Sequence, residues 1–197
     1  MCSGYSRFYC GLMMNASPKI TFRPAVESDA PALRRMYDAI IDAMDISTWH
    51  TQWSKNGYPS NADFITFARK GELHLAFADG ELAAAVVLNG TYNRGYDAVK
   101  WGVACSPHQV RYIHTLGVSV TMRRCGVASA LLNHVAALAR AQGCKSLRLD
   151  VINTARPAER FYRDFGFIHR ATCTLDYDSV CTEFNLYELE LTPARKS

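Results

Sequence analysis

His114-Thr115-Leu116-Gly117-Val118-Ser119-Val120 runs through Thr121-Met122 into Arg123-Arg124-Cys125-Gly126-Val127-Ala128-Ser129. The first stretch ends a strand expected over 110–120. The second opens a helix that carries Val127, Leu131, Val135 and Leu138 on one side and stops at Gln142-Gly143. A strand that turns tightly into a helix points several backbone N–H groups at one spot, beside the positive end of the helix dipole. That is an anion site. Gly126 lets the backbone come close to a phosphate, and Ala128 is nearly as small. Arg123 and Arg124 add charge, and the Ser129 hydroxyl adds a donor. The spacing R-x-x-G-x-A lacks the Gly-Lys-Ser/Thr ending of a Walker loop and is not GxGxxG. Taken alone, it is equally a basic helix start with a glycine at the turn.

Outward from this loop the pattern is regular. Residues 19–24 alternate as a first strand, and Ser28 or Asp29 can cap the helix behind them, whose stripe is Leu33, Met36, Tyr37, Ile40, Ile41 and Met44. Asn61 can cap a second helix that runs to Gly71. Strands over 72–78 and 81–88 are joined by the hairpin dipeptide Asp79-Gly80. Residues 89–106 read as a long exposed connection. After the loop and its helix come a strand over 146–151, a short helix over 157–165 closed by Gly166, and strands over 167–177 and 183–191. The order β, α, α, β, β, β, α, β, α, β, β implies an α/β fold. Its sheet is mixed and largely antiparallel, with helices on both faces.

The 197 residues, 49% hydrophobic and 20% charged, suit one domain. The reading is a leader over 1–17, the domain over 18–192 and a tail over 193–197. A net charge of +4 is scattered rather than gathered on one face, which argues against nucleic acid and suits a polyphosphate ligand. Seven cysteines without a CxxC pair or a Cys/His set read as free thiols of a reducing cytoplasm, with no metal site. No apolar run reaches the length of a membrane span.

Three later stretches give the loop its context: Leu149-Asp150-Val151, then Asn153, then Ala158-Glu159-Arg160-Phe161-Tyr162 with Gly166-Phe167. With Val118, Arg123, Gly126, Val127, Ala128, Leu131 and Leu132 they resemble the GNAT N-acetyltransferase superfamily over residues 19–191, most specifically over 116–167. Departures are Val120 where proline is common, Arg124 for the first glycine and Ala128 for the last. The resemblance implies a fold in which the fourth and fifth strands splay apart and the pantetheine arm of acetyl-CoA lies in the gap. Leu116, Gly117, Val118 and Val120 would line that arm. Arg123, Arg124, Cys125, Gly126, Val127, Ala128 and Ser129 would hold the pyrophosphate.

It further implies direct attack of an amine on the thioester in a ternary complex, with Tyr162 as general acid to the leaving thiolate. Tyr162 is otherwise a core tyrosine with a satisfied hydroxyl. His114, four residues before Val118 and so on the same strand face, is either the base or a strand histidine paired with a neighbour. Asn153 either binds cofactor amides or caps the next helix. Trp53, Tyr58 and Trp101, with Trp49, His50, Tyr92 and Tyr96, form an acceptor wall or a loop packed on its own rings. The expected activity is acetyl transfer to a small primary amine. Acetylation of a protein N terminus or lysine, and a non-catalytic CoA-binding module, are the alternatives. A homodimer through the last strands is common in the family.

Overall fold

The computed structural model describes residues 18–44, 53–177 and 180–191. The expected leader and tail, with Trp49 and His50 of the aromatic loop, lie outside the described residues. Seven strands form one sheet in the order β1-β2-β3-β4-β5-β7-β6. They are β1 (Ile20–Pro24), β2 (Leu73–Ala78), β3 (Glu81–Asn89), β4 (Val110–Val118), β5 (Ser146–Ile152), β6 (Ile168–Tyr177) and β7 (Val180–Glu190). The helices are α1 (Ala30–Asp42), α2 (Asn61–Arg69), α3 (Val127–Ala141) and α4 (Arg156–Phe165). Every neighbouring pair is antiparallel except β4 with β5. This is the expected fold class and element order.

The central strands explain how the two helical layers are held. In β3, Ala84, Val86 and Leu88 join a core that includes Leu131, Leu132 and Val135 of α3, while Ala85 and Val87 join Leu33, Tyr37 and Phe64 of α1 and α2. A period-two chain buried on both faces reads as a continuous apolar run, as residues 82–88 do.

Local signals were right in kind and sometimes shifted by a residue. Ser60, not Asn61, caps α2: its hydroxyl accepts from the Asp63 N–H at 3.2 Å, and the Asp63 carboxylate accepts from the Ser60 N–H at 2.7 Å. This reciprocal box contributes about 1 kcal/mol. Asp29 makes no side-chain cap to α1 itself but accepts from the Val26 N–H at 2.8 Å, closing the turn before it. The connection after β3 is not simply exposed. It holds a 3-10 turn at Arg94–Ala98, and Tyr96 within it is buried.

Candidate functional site

The site begins where β4 and β5 part. They pair in parallel only at Val110 with Ser146, Arg111 with Leu147, and Tyr112 with Arg148. Beyond that, β4 runs on to Val118 and β5 to Ile152 with no pairing between them, so backbone groups along both inner edges are left for another partner. The cause is visible on the other side of β4. Val87 faces His114 and Ala85 faces Gly117, so β4 spends one residue more than β3 across this interval. That extra residue makes a bulge, and Thr115 within it takes φ 49°. A bulge bends its strand, and here it turns β4 away from β5.

The bulge is pinned from α1. The Tyr37 hydroxyl donates to the Thr115 carbonyl, and the fully buried Tyr37 ring lies against Gly117. A Cβ on Gly117 would stand 2.8 Å from that ring, so only glycine fits. Gly117→Ala is expected to cost about 1–3 kcal/mol by overpacking. Denaturant unfolding measures this, and a midpoint unchanged from wild type would mean that the ring moves aside freely.

After β4 the chain makes a 3-10 turn at Val120–Met122 before the basic loop. Arg124 takes φ 65° and Gly126 φ 77°, the left-handed geometry that aims the start of α3 back toward the fork. The first intrahelical bond from this end is Ala130 N–H to Gly126 C=O at 3.0 Å, so the N–H groups of Val127, Ala128 and Ser129 have no helical acceptor. Arg123 and Arg124 are exposed beside them. The result is an anion cradle.

A single cleft of about 1120 Å³ runs from this cradle through the fork to α1. The expected residues Leu116, Gly117, Val118, Arg123, Arg124, Gly126, Val127, Ala128, Ser129, His114, Tyr162, Trp53 and Tyr58 all line it. Val120, Cys125, Asn153 and Trp101 do not. Val120 packs instead toward the α1–α2 core. Cys125 points its thiol at the Arg123 carbonyl, 3.6 Å away. Asn153 neither caps a helix nor faces the cleft, because its amide donates to Glu183 at 2.7 Å. The Trp101 ring is held under the Arg148 guanidinium at 4.2 Å and packs on Tyr96, with centroids 5.5 Å apart.

Tyr162 is buried by α4 and sits edge-on to Phe167, with ring centroids 5.5 Å apart. Its hydroxyl has no hydrogen-bond partner among the described residues, whereas those of Tyr37, Tyr96 and Tyr187 each have one. Burial, then the nearby Asp150 charge, pushes the Tyr162 phenol well above its ordinary range, so it stays protonated. Tyr58 is likewise pushed up to about 12, chiefly by burial.

His114 reaches the cleft, although the alternation counted back from Val118 is broken by the bulge. Its Nε2 lies 2.9 Å from the Thr91 carbonyl; a carbonyl only accepts, so Nε2 carries the proton and Nδ1 keeps its lone pair. Burial lowers the imidazole pKa, against a smaller opposing pull from Asp150.

Asp150 stands in β5, within the Leu149-Asp150-Val151 stretch. It lies two residues past the last β4–β5 pair, and its Oδ2 accepts from the hydroxyls of Tyr96 and Tyr177, each at 2.7 Å. Tyr177, at the end of β6, belongs to no motif, and only the sheet order brings it here. Among the described residues no group of His, Cys, Asp and Glu could hold a metal ion. No helix among them is long and apolar enough to cross a membrane.

The chain matches the model of the acetyltransferase (GNAT) family over residues 33–167. No curated protein matches it. Among solved structures it is similar to a GNAT-family acetyltransferase from Streptococcus agalactiae, with TM-score 0.72 and 18% identity over 89% of this chain and 96% of that one. It is also similar to yncA from Salmonella typhimurium, solved with its cofactor acetyl-CoA, with TM-score 0.65 and 12% identity over 91% and 98%. Ard1 from Thermoplasma volcanium aligns with TM-score 0.63 and 19% identity over 88% and 98%. At these identities the structures speak for the fold. The sequence model, spanning more than half of the residues and including the fork and the cradle, makes this chain a member of the GNAT acetyltransferase family.

Proposed function

We propose that the protein is an N-acetyltransferase that moves the acetyl group of acetyl-CoA to a small primary amine within a ternary complex. The observation that carries this reading is the continuity of the cleft, in which an anion cradle, an unpaired strand fork and a protonated phenol follow one another. The likeness to yncA, solved with acetyl-CoA, supports the donor. The pyrophosphate suits Arg123, Arg124 and the open N–H groups of residues 127–129, and the pantetheine amides suit the unpaired edges of β4 and β5.

In the reaction, the amine nitrogen attacks the acetyl carbonyl carbon and the C–S bond breaks. The thiolate takes the Tyr162 proton, and the proton shed by the amine passes to His114 Nδ1. Holding both reactants in one cleft supplies the larger part of the rate enhancement by removing the entropy cost of their encounter.

Two measurements test this. Acetyl-CoA should raise the melting temperature, and thiol release should follow on adding an amine; binding with no release from any amine or peptide would leave only a CoA-binding module. The pH profile tests the base. His114 titrates below the ordinary value of 6.5, so the neutral, proton-accepting form persists above that pH. Activity then falls only as pH drops through the lowered pKa. His114→Ala should lose this acidic limb of kcat/KM, and an inactive variant that keeps the limb would remove His114 from the role.

A further inference from the structure

The acceptor end of the cleft has a lopsided chemistry. Its walls are the apolar and aromatic side chains of Ile40, Met44, Trp53, Tyr58 and Tyr177. One anion faces them, Asp150. The cations that line the cleft, Arg123 and Arg124, sit at the cradle.

Asp150 is fixed rather than free to turn away. Both tyrosine hydroxyls bind the same oxygen, Oδ2, from opposite parts of the chain, Tyr96 before β4 and Tyr177 at the end of β6. Oδ1 takes no hydrogen bond among the described residues. The carboxylate also acts electrostatically on His114, Tyr58 and Tyr162.

From this arrangement, and resting on the acetyl-transfer reading above, we infer that the acceptor is a primary amine with an apolar body and no carboxylate beside its nitrogen, and that Asp150 binds it as the ammonium ion. The ammonium gains a charge-assisted hydrogen bond to Oδ1 and the faces of electron-rich rings. An amino acid presents the same ammonium but sets its own carboxylate near Asp150, and among the described residues no lysine or arginine lines that end of the cleft to receive it. That mismatch is rejection by like charge. Asp150 is thus the residue that sets specificity. It also delivers the ammonium within reach of His114, which passes one proton from nitrogen to solvent before attack; the lone pair then forms the C–N bond as the C–S bond breaks, and the second proton, shed by the acetylated nitrogen, passes to the freed Nδ1.

The test uses the full chain with acetyl-CoA and three acceptors: phenethylamine, phenylalanine and phenylalanine amide. Phenethylamine and the amide are expected to release thiol, with kcat/KM for phenylalanine lower on the order of 100-fold. Asp150→Asn, which keeps an oxygen for both tyrosine hydroxyls, should raise the KM for phenethylamine at least about tenfold and narrow its margin over phenylalanine. The melting shift with acetyl-CoA should not change. Equal use of phenethylamine and phenylalanine by the wild type overturns the inference, and so does an unchanged KM in Asp150→Asn. Turnover of a lysine peptide but of none of the three acceptors also overturns it while leaving acetyl transfer standing. Absence of thiol release with every amine overturns both.

Discussion

Tyr162→Phe is expected to lower kcat by about 100-fold while leaving the melting shift with acetyl-CoA unchanged. The reason lies in what the hydroxyl does not touch. A buried phenol is normally paired, because leaving its oxygen unsatisfied costs free energy. Tyr162 makes no such bond among the described residues, yet it lines the cleft and is held in the neutral form by burial and the Asp150 charge. Its proton is therefore available to a thiolate in the fork. The ring has a separate duty, packing on Phe161 and Phe167, and phenylalanine preserves it.

The two roles separate cleanly. A hydroxyl that served the core would cost roughly 1 kcal/mol of stability on removal and leave turnover alone. One that serves the thiolate costs turnover and leaves unfolding alone. Unfolding and thiol-release measurements on the same preparation decide between them. Full turnover in Tyr162→Phe would end the general-acid role.

The part of this site that was legible in the sequence is the part made by contiguous chain. Arg123 to Ser129 is a turn into a helix, and its spacing fixes where the N–H groups point. Phe161-Tyr162 and Gly166-Phe167 are likewise one helix and its cap. The order of strands and helices followed from periods and turn residues alone.

What stayed hidden is made by pairing between distant segments. The bulge at Thr115 has no signature, since threonine is an ordinary strand residue; only its register against Ala85 and Val87 exposes it. Tyr96 and Tyr177 become partners of Asp150 because β7 lies between β5 and β6, an order that strand patterns do not specify. Trp101 shows the reverse error. An aromatic in a loop invites a reading as ligand wall, and its neighbours in space prove to be Arg148 and Tyr96.

Trp101 belongs to a second buried polar assembly, and that assembly carries the largest expected effect on stability. The Glu188 side chain is fully buried on β7. Its Oε1 accepts from Ser146 Oγ at 3.0 Å and Arg148 Nε at 3.1 Å. Its Oε2 accepts from Arg170 Nε at 2.9 Å and from the Gly102 and Val103 N–H groups at 2.7 and 3.2 Å. One carboxylate thus ties β5, β6 and β7 to the loop before β4. Gly102 leaves room for the Arg170 guanidinium, which a Cβ there would meet at 2.0 Å.

Burying a charged set of this kind is not in itself a large gain, because desolvation offsets the attraction. Removing one member is costly, because the guanidiniums remain. Glu188→Gln keeps the volume and an acceptor oxygen but leaves two cations facing each other, at a cost of about 3–5 kcal/mol. For a chain of this size that is a fall in Tm on the order of 10 °C. None of the partners lines the cleft, so turnover per folded molecule should hold at a temperature where the variant is native. A Tm within about 2 °C of wild type, under 1 kcal/mol on the same conversion, would mean that the neutral amide satisfies this cluster as well as the charge does.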